Sequence, residues 1–185
     1  MKRDAHATRQ RILTEATAEF ARYGIAGSRI DRIAAAAGCN KAMIYAYFTS
    51  KDQLFDAVFD AVVVRNVTDV PIDATDLPEY AARLSDQYEK YPEVGRLATW
   101  DRLERDSAGA RSPTIVAANQ HKVEEVARAQ QSGLVADHLP AAHLLTLLFT
   151  VAQTSFDPIG DSQDRPDPEQ RRQAIRDAVA RLSRP

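Results

Sequence analysis

Apolar residues recur at three- and four-residue spacing along almost the whole chain, and no stretch alternates as a strand would. The pattern predicts an all-α protein of about nine helices. The first helix runs from about Ala5 to Tyr23, with Ile12, Ala16 and Phe20 on one stripe and Leu13 beside them. Gly24 follows as a left-handed C-terminal stop. Ser28 opens a second helix, with Asp31 at the third place of a capping box, and Ile30, Ile33, Ala34 and Ala37 supply its buried face. Gly38 ends it. Asn40 is a good N-cap for a short third helix to about Phe48. Ser50, with Gln53 closing a second capping box, starts a fourth helix whose apolar side is Leu54, Phe55, Val58 and Val62.

A loop over about 66–76, holding Pro71 and several aspartates, separates a head from a body. Five helices follow: Asp76 to about Lys90, Pro92 to about Arg105, Ser112-Pro113 to near Gly133, Pro140 to about Phe156, and Pro168 to near Leu182. An acidic, proline-containing loop over Asp157–Asp167 precedes the last of them. The expected division is a three-helix head, residues 1–50, and a helical body, residues 51–185, in which 51–66 is a connecting helix.

Within the head, Ala34, Gly38 and Ile44 are spaced four and six apart. A helix-turn-helix needs a small residue where its helices cross, a residue tolerant of positive φ in the turn, and an aliphatic residue tying the second helix to the first. These three supply that set, although any tight helical hairpin can share the spacing. Charge sharpens the picture. Residues 1–51 carry nine Lys/Arg against four acids, whereas the remainder carries 15 against 22. A basic head on an acidic body suits a head that meets a polyanion.

Other classes fare worse. The chain shows no Gly-rich phosphate loop, nucleophile elbow or paired-cysteine site, so no catalytic residues and no cofactor are expected. His6, His121, His138 and His143 form no metal-ligand pattern. Cys39 is the only cysteine, which leaves no intrachain disulfide, and it most simply fills the turn's apolar pocket. The run Leu144 to Ala152 is too short to span a bilayer, and the N-terminus lacks an apolar signal core, so a cytoplasmic protein is expected.

The run from Ile30 to Leu54, IDRIAAAAGCNKAMIYAYFTSKDQL, resembles the TetR/AcrR family signature. That signature has an Ile-Ala pair, a Gly turn, a short helix ending in Tyr and Phe, and Ser-Lys before an acidic residue and a Leu. The likeness covers about residues 8–60; beyond that it is one of helix count and order. It implies a ligand-responsive homodimeric repressor whose helix 41–48 enters the major groove of a palindromic duplex operator. Lys41 would donate to guanine edges or phosphate, while Asn40 caps the helix or reaches a base. Tyr45 and Tyr47 would reach backbone oxygens. Ser28 with its helix start, Lys51 and Arg29 would meet phosphates, Arg29 alternatively a base, and Lys2 and Arg3 would reach the backbone from an N-terminal arm. Ala42 and Met43 replace the family's usual Gly and Thr, and Ala46 its His, Tyr or Arg. The reading face is therefore lean, with Ala42 or Met43 meeting thymine methyls and operator shape adding specificity.

For the body, the resemblance implies a four-helix dimer bundle from the last two helices, with Leu144, Leu148, Val151, Ile175 and Val179 at its interface. It also implies an effector pocket among the remaining body helices. Side chains combining an apolar body with a polar handle there are Tyr88, Trp100, Asn119, His121 and Gln153, with Thr99 and Leu103 near Trp100 on the same helix. An apolar or aromatic effector would change the spacing of the two heads and release DNA.

Overall fold

The computed structural model describes residues 2–105, 113–154 and 167–185, with side chains from Ala5 onward. The ends of two expected elements, Ser112 and Phe156, and most of the acidic loop lie outside them, as do the side chains of Lys2 and Arg3. Among the described residues the chain is all helix and turn. The helices are α1 (Lys2–Gly27), α2 (Ile30–Ala36), α3 (Lys41–Phe48), α4 (Lys51–Asp69), α5 (Leu77–Lys90), α6 (Pro92–Glu104), α7 (Pro113–Gln131), α8 (Ala141–Ala152) and α9 (Pro168–Ser183).

They form two compact units. The first holds residues 1–65 and 92–115, the second 66–91 and 116–185. By compactness, therefore, the first part of α4 and all of α6 go with the head, although sequence order groups them with the body.

The first unit is built on the stripe read from α1. Ile12, Ala16 and Phe20 are fully buried, together with Ile33, Ile44, Leu54, Phe55 and Val58. Phe20 and Phe55 meet edge to face, with ring centroids 5.2 Å apart. On α6, Trp100 Nε1 donates to the Ala21 carbonyl at 3.3 Å, and Glu104 Oε2 accepts from the Ala26 amide at 2.7 Å. Arg105 donates to Asp56 Oδ1 at 2.5 Å and lies over the Phe55 ring, fastening the end of α6 to α4.

Gly24 departs from the expected left-handed stop. Its φ is positive, 72°, but its ψ is −178°, an extended conformation open essentially to glycine alone. The chain kinks there and makes a further helical turn to Gly27.

The second unit packs α5, α8 and α9 with most of α7. Leu77, Tyr80, Leu84, Val126, Leu144, Leu148, Ile175 and Val179 make its core. Asp76 caps α5 by accepting from the Glu79 amide at 3.0 Å, and Asp167 caps α9 by accepting from the amides of Glu169 and Gln170, both at 2.9 Å. At the α5–α9 seam Glu79 accepts from Arg172 at 2.8 Å and Arg176 at 2.7 Å. The Arg176 guanidinium holds the Glu79 carboxyl below the usual carboxylate range.

Candidate nucleic-acid interface

The helix-turn-helix is held from below. Ala34 and Ile44 are buried where α2 and α3 cross, and Phe48 anchors the far end of α3. Gly38 takes φ +64° with open space around it, so the turn needs its backbone freedom and not its small size. Asn40 caps α3, its Oδ1 accepting from the Met43 amide at 2.8 Å, which commits the side chain to the cap. Ser50 Oγ accepts from the Gln53 amide at 3.1 Å and starts α4 in the same way.

Ser28 is not the cap that its spacing with Asp31 suggested. Arg29 is the N-cap residue of α2 and makes no side-chain cap bond. Ser28 is 5% exposed and its hydroxyl donates backward to the Ile25 carbonyl at 2.7 Å. A buried, satisfied hydroxyl has little to offer a phosphate, contrary to the expectation for this side chain.

With Ile44 and Phe48 turned inward, α3 leaves Lys41, Ala42, Met43, Tyr45, Ala46 and Tyr47 exposed on one continuous surface. Lys41 Nζ stands 3.3 Å from Asp31 Oδ1 on α2. The Tyr47 hydroxyl donates to the Ala5 carbonyl at 3.2 Å, linking α3 to the start of α1. Lys51 Nζ donates to the carbonyls of Ala26 and Ser28 at 3.3 and 3.4 Å, so it also braces the turn between α1 and α2. The Arg29 side chain is exposed, while its amide is held by Glu19 Oε1 at 2.9 Å. The neighbouring Arg32 is spent differently: Glu19 and the Gly27 carbonyl accept from it, and its guanidinium lies 4.4 Å above the Tyr23 ring. One cation escaped the sequence reading. Arg9, exposed on α1, rests over the Phe48 ring at 5.2 Å, beside the end of α3. Its place on the polar side of α1 was legible; its proximity to α3 was not.

A model of bacterial regulatory proteins of the tetR family matches residues 12–58, and one of the tetracyclin repressor-like C-terminal domain matches residues 76–181. The HTH-type transcriptional repressor SCO4008 of Streptomyces coelicolor is 41% identical over 153 residues, covering 81% of this chain and 79% of that protein. The chain belongs to the TetR family. As a TetR-family member it is a DNA-binding transcriptional regulator of the helix-turn-helix type. The repressor NicS of Pseudomonas putida is a more distant relative, 27% identical over 155 residues, covering 78% of this chain and 73% of its own. Among solved structures, that of SCO4942 from S. coelicolor superposes with a TM-score of 0.81 at 34% identity, covering 96% of this chain and 99% of that one.

The residues expected at the TetR-type effector pocket are divided between the two units. Thr99, Trp100 and Leu103 lie on α6 in the first unit. Trp100 spends its N–H on Ala21, Thr99 Oγ1 donates to the Gly95 carbonyl at 2.9 Å, and Leu103 is 66% exposed. Tyr88, Asn119 and Gln153 belong to the second unit. His121 is exposed and faces Glu125 on its own helix. Tyr88 is packed against the core of the second unit, within hydrogen-bonding reach of Gln153.

The expected dimer contacts also need correction. Leu144, Leu148, Ile175 and Val179 are 0% exposed in the protomer, where they fill its own core, and Val151 packs against that core. The four fully buried residues have no face left for a partner, whereas Val151, only partly buried, keeps one.

Proposed function

We propose that the protein is a homodimeric cytoplasmic repressor that grips a palindromic operator through two copies of α3 and releases it when a small effector binds the second unit. The observation that carries this reading is the exposed α3 surface, led by Lys41 and the two tyrosines, on a scaffold whose anchoring residues are all buried. The 41% identity to a named repressor supports the sign of regulation. Phosphate contacts fall to Lys51, Arg29, Arg9 and the tyrosine hydroxyls, and base contacts to Lys41, Ala42 and Met43. The test is an anisotropy titration with a duplex from the region upstream of the protein's own gene, beside a scrambled duplex, at two salt concentrations. Equal, weak binding to both duplexes at both salts would remove the regulator reading for that region.

The dimer surface that remains is the outer side of α8 and α9. Leu147 is 41% exposed there, with Thr146 and Thr150 beside it on α8 and Ala174 on α9. Thr146, Thr150 and Thr154 each donate to the carbonyl four residues back, at 2.9, 2.8 and 3.0 Å. Covering this face therefore strands no hydroxyl donor. Leu147→Glu places a charge at the centre of that contact in both copies. It is expected to cost about 2 kcal/mol or more per copy, converting the dimer to monomer at micromolar concentration by light scattering with an unchanged circular dichroism spectrum. A Leu147→Glu protein that stays dimeric would move the interface elsewhere.

A further inference from the structure

The inward stripe of α7 runs Ile115, Asn119, Lys122, Val126 and Ala129, at the spacing of an apolar helix face. A lysine stands in the middle of it. Lys122 is only 7% exposed. Its ammonium lies 5.0 Å from the centre of the Phe149 ring on α8, and among the described residues no carboxylate faces it. The acids next to it in sequence are engaged elsewhere: Glu124 accepts from Gln120 at 2.9 Å, and Glu125 pairs with Arg128. Burial alone pushes the Lys122 pKa down. The face of an aromatic ring offsets part of a cation's charge, but it leaves the three N–H donors of an ammonium largely unused.

Other donors stand in or beside the same core. Gln153 is one helical turn beyond Phe149 and within hydrogen-bonding reach of the Tyr88 hydroxyl. Tyr88 acts in turn on Tyr80, whose hydroxyl is buried with no hydrogen-bond partner. Among the described residues, the charged side chain that acts on Tyr80 is that of Arg83, again a cation. Buried charges in proteins are paired and buried hydroxyls bonded, and here both lack partners of the same kind: an acceptor carrying negative charge.

We propose that the effector is a hydrophobic carboxylic acid, its carboxylate held by Lys122 with the tyrosine hydroxyls of α5 beside it and its apolar body against Phe149. This rests on the reading of the second unit as an effector domain and narrows the ligand from any apolar molecule to an anion. Val123 and Phe149, both only partly buried, keep apolar surface beside Val126 in the same core. A neutral isostere would leave the ammonium unpaired in a dry site, so discrimination between acid and amide follows from the desolvation of Lys122.

The full-length protein is to be titrated with benzoate, phenylacetate, octanoate and decanoate, each beside its primary amide. Melting temperature and release of the operator duplex are the two readouts. At least one acid is expected to raise the melting temperature and release the duplex, with its amide binding about tenfold to a hundredfold more weakly. Lys122→Met is expected to keep operator affinity, melt higher than wild type in the absence of any acid, and lose the response to that acid; Lys122→Arg keeps the response. An amide as potent as its acid, an acid that acts equally on Lys122→Met, or no response to any of the four acids overturns the inference. The acid–amide comparison on the wild-type protein decides even if neither variant folds. Release by a neutral compound alone would leave the effector reading standing and remove only the anionic one.

Discussion

Gly24→Ala is expected to destabilise the first unit by about 2–4 kcal/mol, roughly the sum of a backbone term and a packing term. The backbone term comes from φ 72° with ψ −178°, which a Cβ makes strongly unfavourable. The packing term comes from the neighbours: a Cβ would stand 2.4 Å from Glu104 Oε1 and 3.0 Å from the Trp100 ring. Neither can easily withdraw, because Glu104 holds the Ala26 amide and Trp100 holds the Ala21 carbonyl. Gly38→Ala is the control. It shares the positive φ, 64°, but meets nothing within 4 Å, so about 1–2 kcal/mol is expected from the backbone alone. Trp100 is the chain's only tryptophan and sits beside Gly24, so urea unfolding followed by its fluorescence reports on this unit. Equal losses for the two variants would show that the close packing of α1 on α6 contributes nothing.

The contrast between these glycines bears on what the sequence reveals. Gly38 was legible because its role is local: a turn between two capped helices demands positive φ whatever surrounds it. Half of Gly24's role is long-range, set by Glu104 and Trp100 some eighty positions away. Asn40, Ser50 and Asp76 cap as their spacing predicts, since a cap bond closes within three residues. Ser28 shows the limit of that rule, because a hydroxyl can satisfy itself backward on Ile25 as readily as forward on a new helix.

In the body the missing information was which neighbour each face meets. Helix α8 is apolar nearly all round, and periodicity cannot say which side enters the protomer core. The structure assigns Leu144 and Leu148 to the core and leaves Leu147 outside. Trp100 combined an apolar body with a polar handle, as a pocket residue should, yet its handle was already taken by α1. Lys122 was the reverse case. Its position on the stripe between Ile115 and Ala129 is visible in the spacing, but spacing does not say whether a lysine there is buried or extends its ammonium to water.

Lys41→Ala and Asp31→Asn are expected to shift operator binding in opposite directions. Lys41 opens α3, where a short reading helix comes nearest the bases, and its exposed ammonium now rests 3.3 Å from the Asp31 carboxylate. Both side chains are more than half exposed, so the pair adds little to folding. In the proposed complex the lysine turns from Asp31 to the duplex, and Asp31 stays behind as a negative charge near the phosphates. Removing the lysine gives up one contact of about 1–3 kcal/mol per half-site, so Lys41→Ala is expected to weaken operator binding at least about tenfold. Asp31→Asn removes both the competing partner and the repulsion, and is expected to tighten operator and scrambled duplex alike by a few-fold, about 1 kcal/mol at low salt. That gain should fade as salt rises, because the repulsion is between exposed charges. Anisotropy titrations of the two variants at two salt concentrations separate the cases. If Asp31→Asn instead weakened the operator while leaving the scrambled duplex unaffected, the carboxylate would be orienting Lys41 toward a base, and the pair would be part of the reading surface.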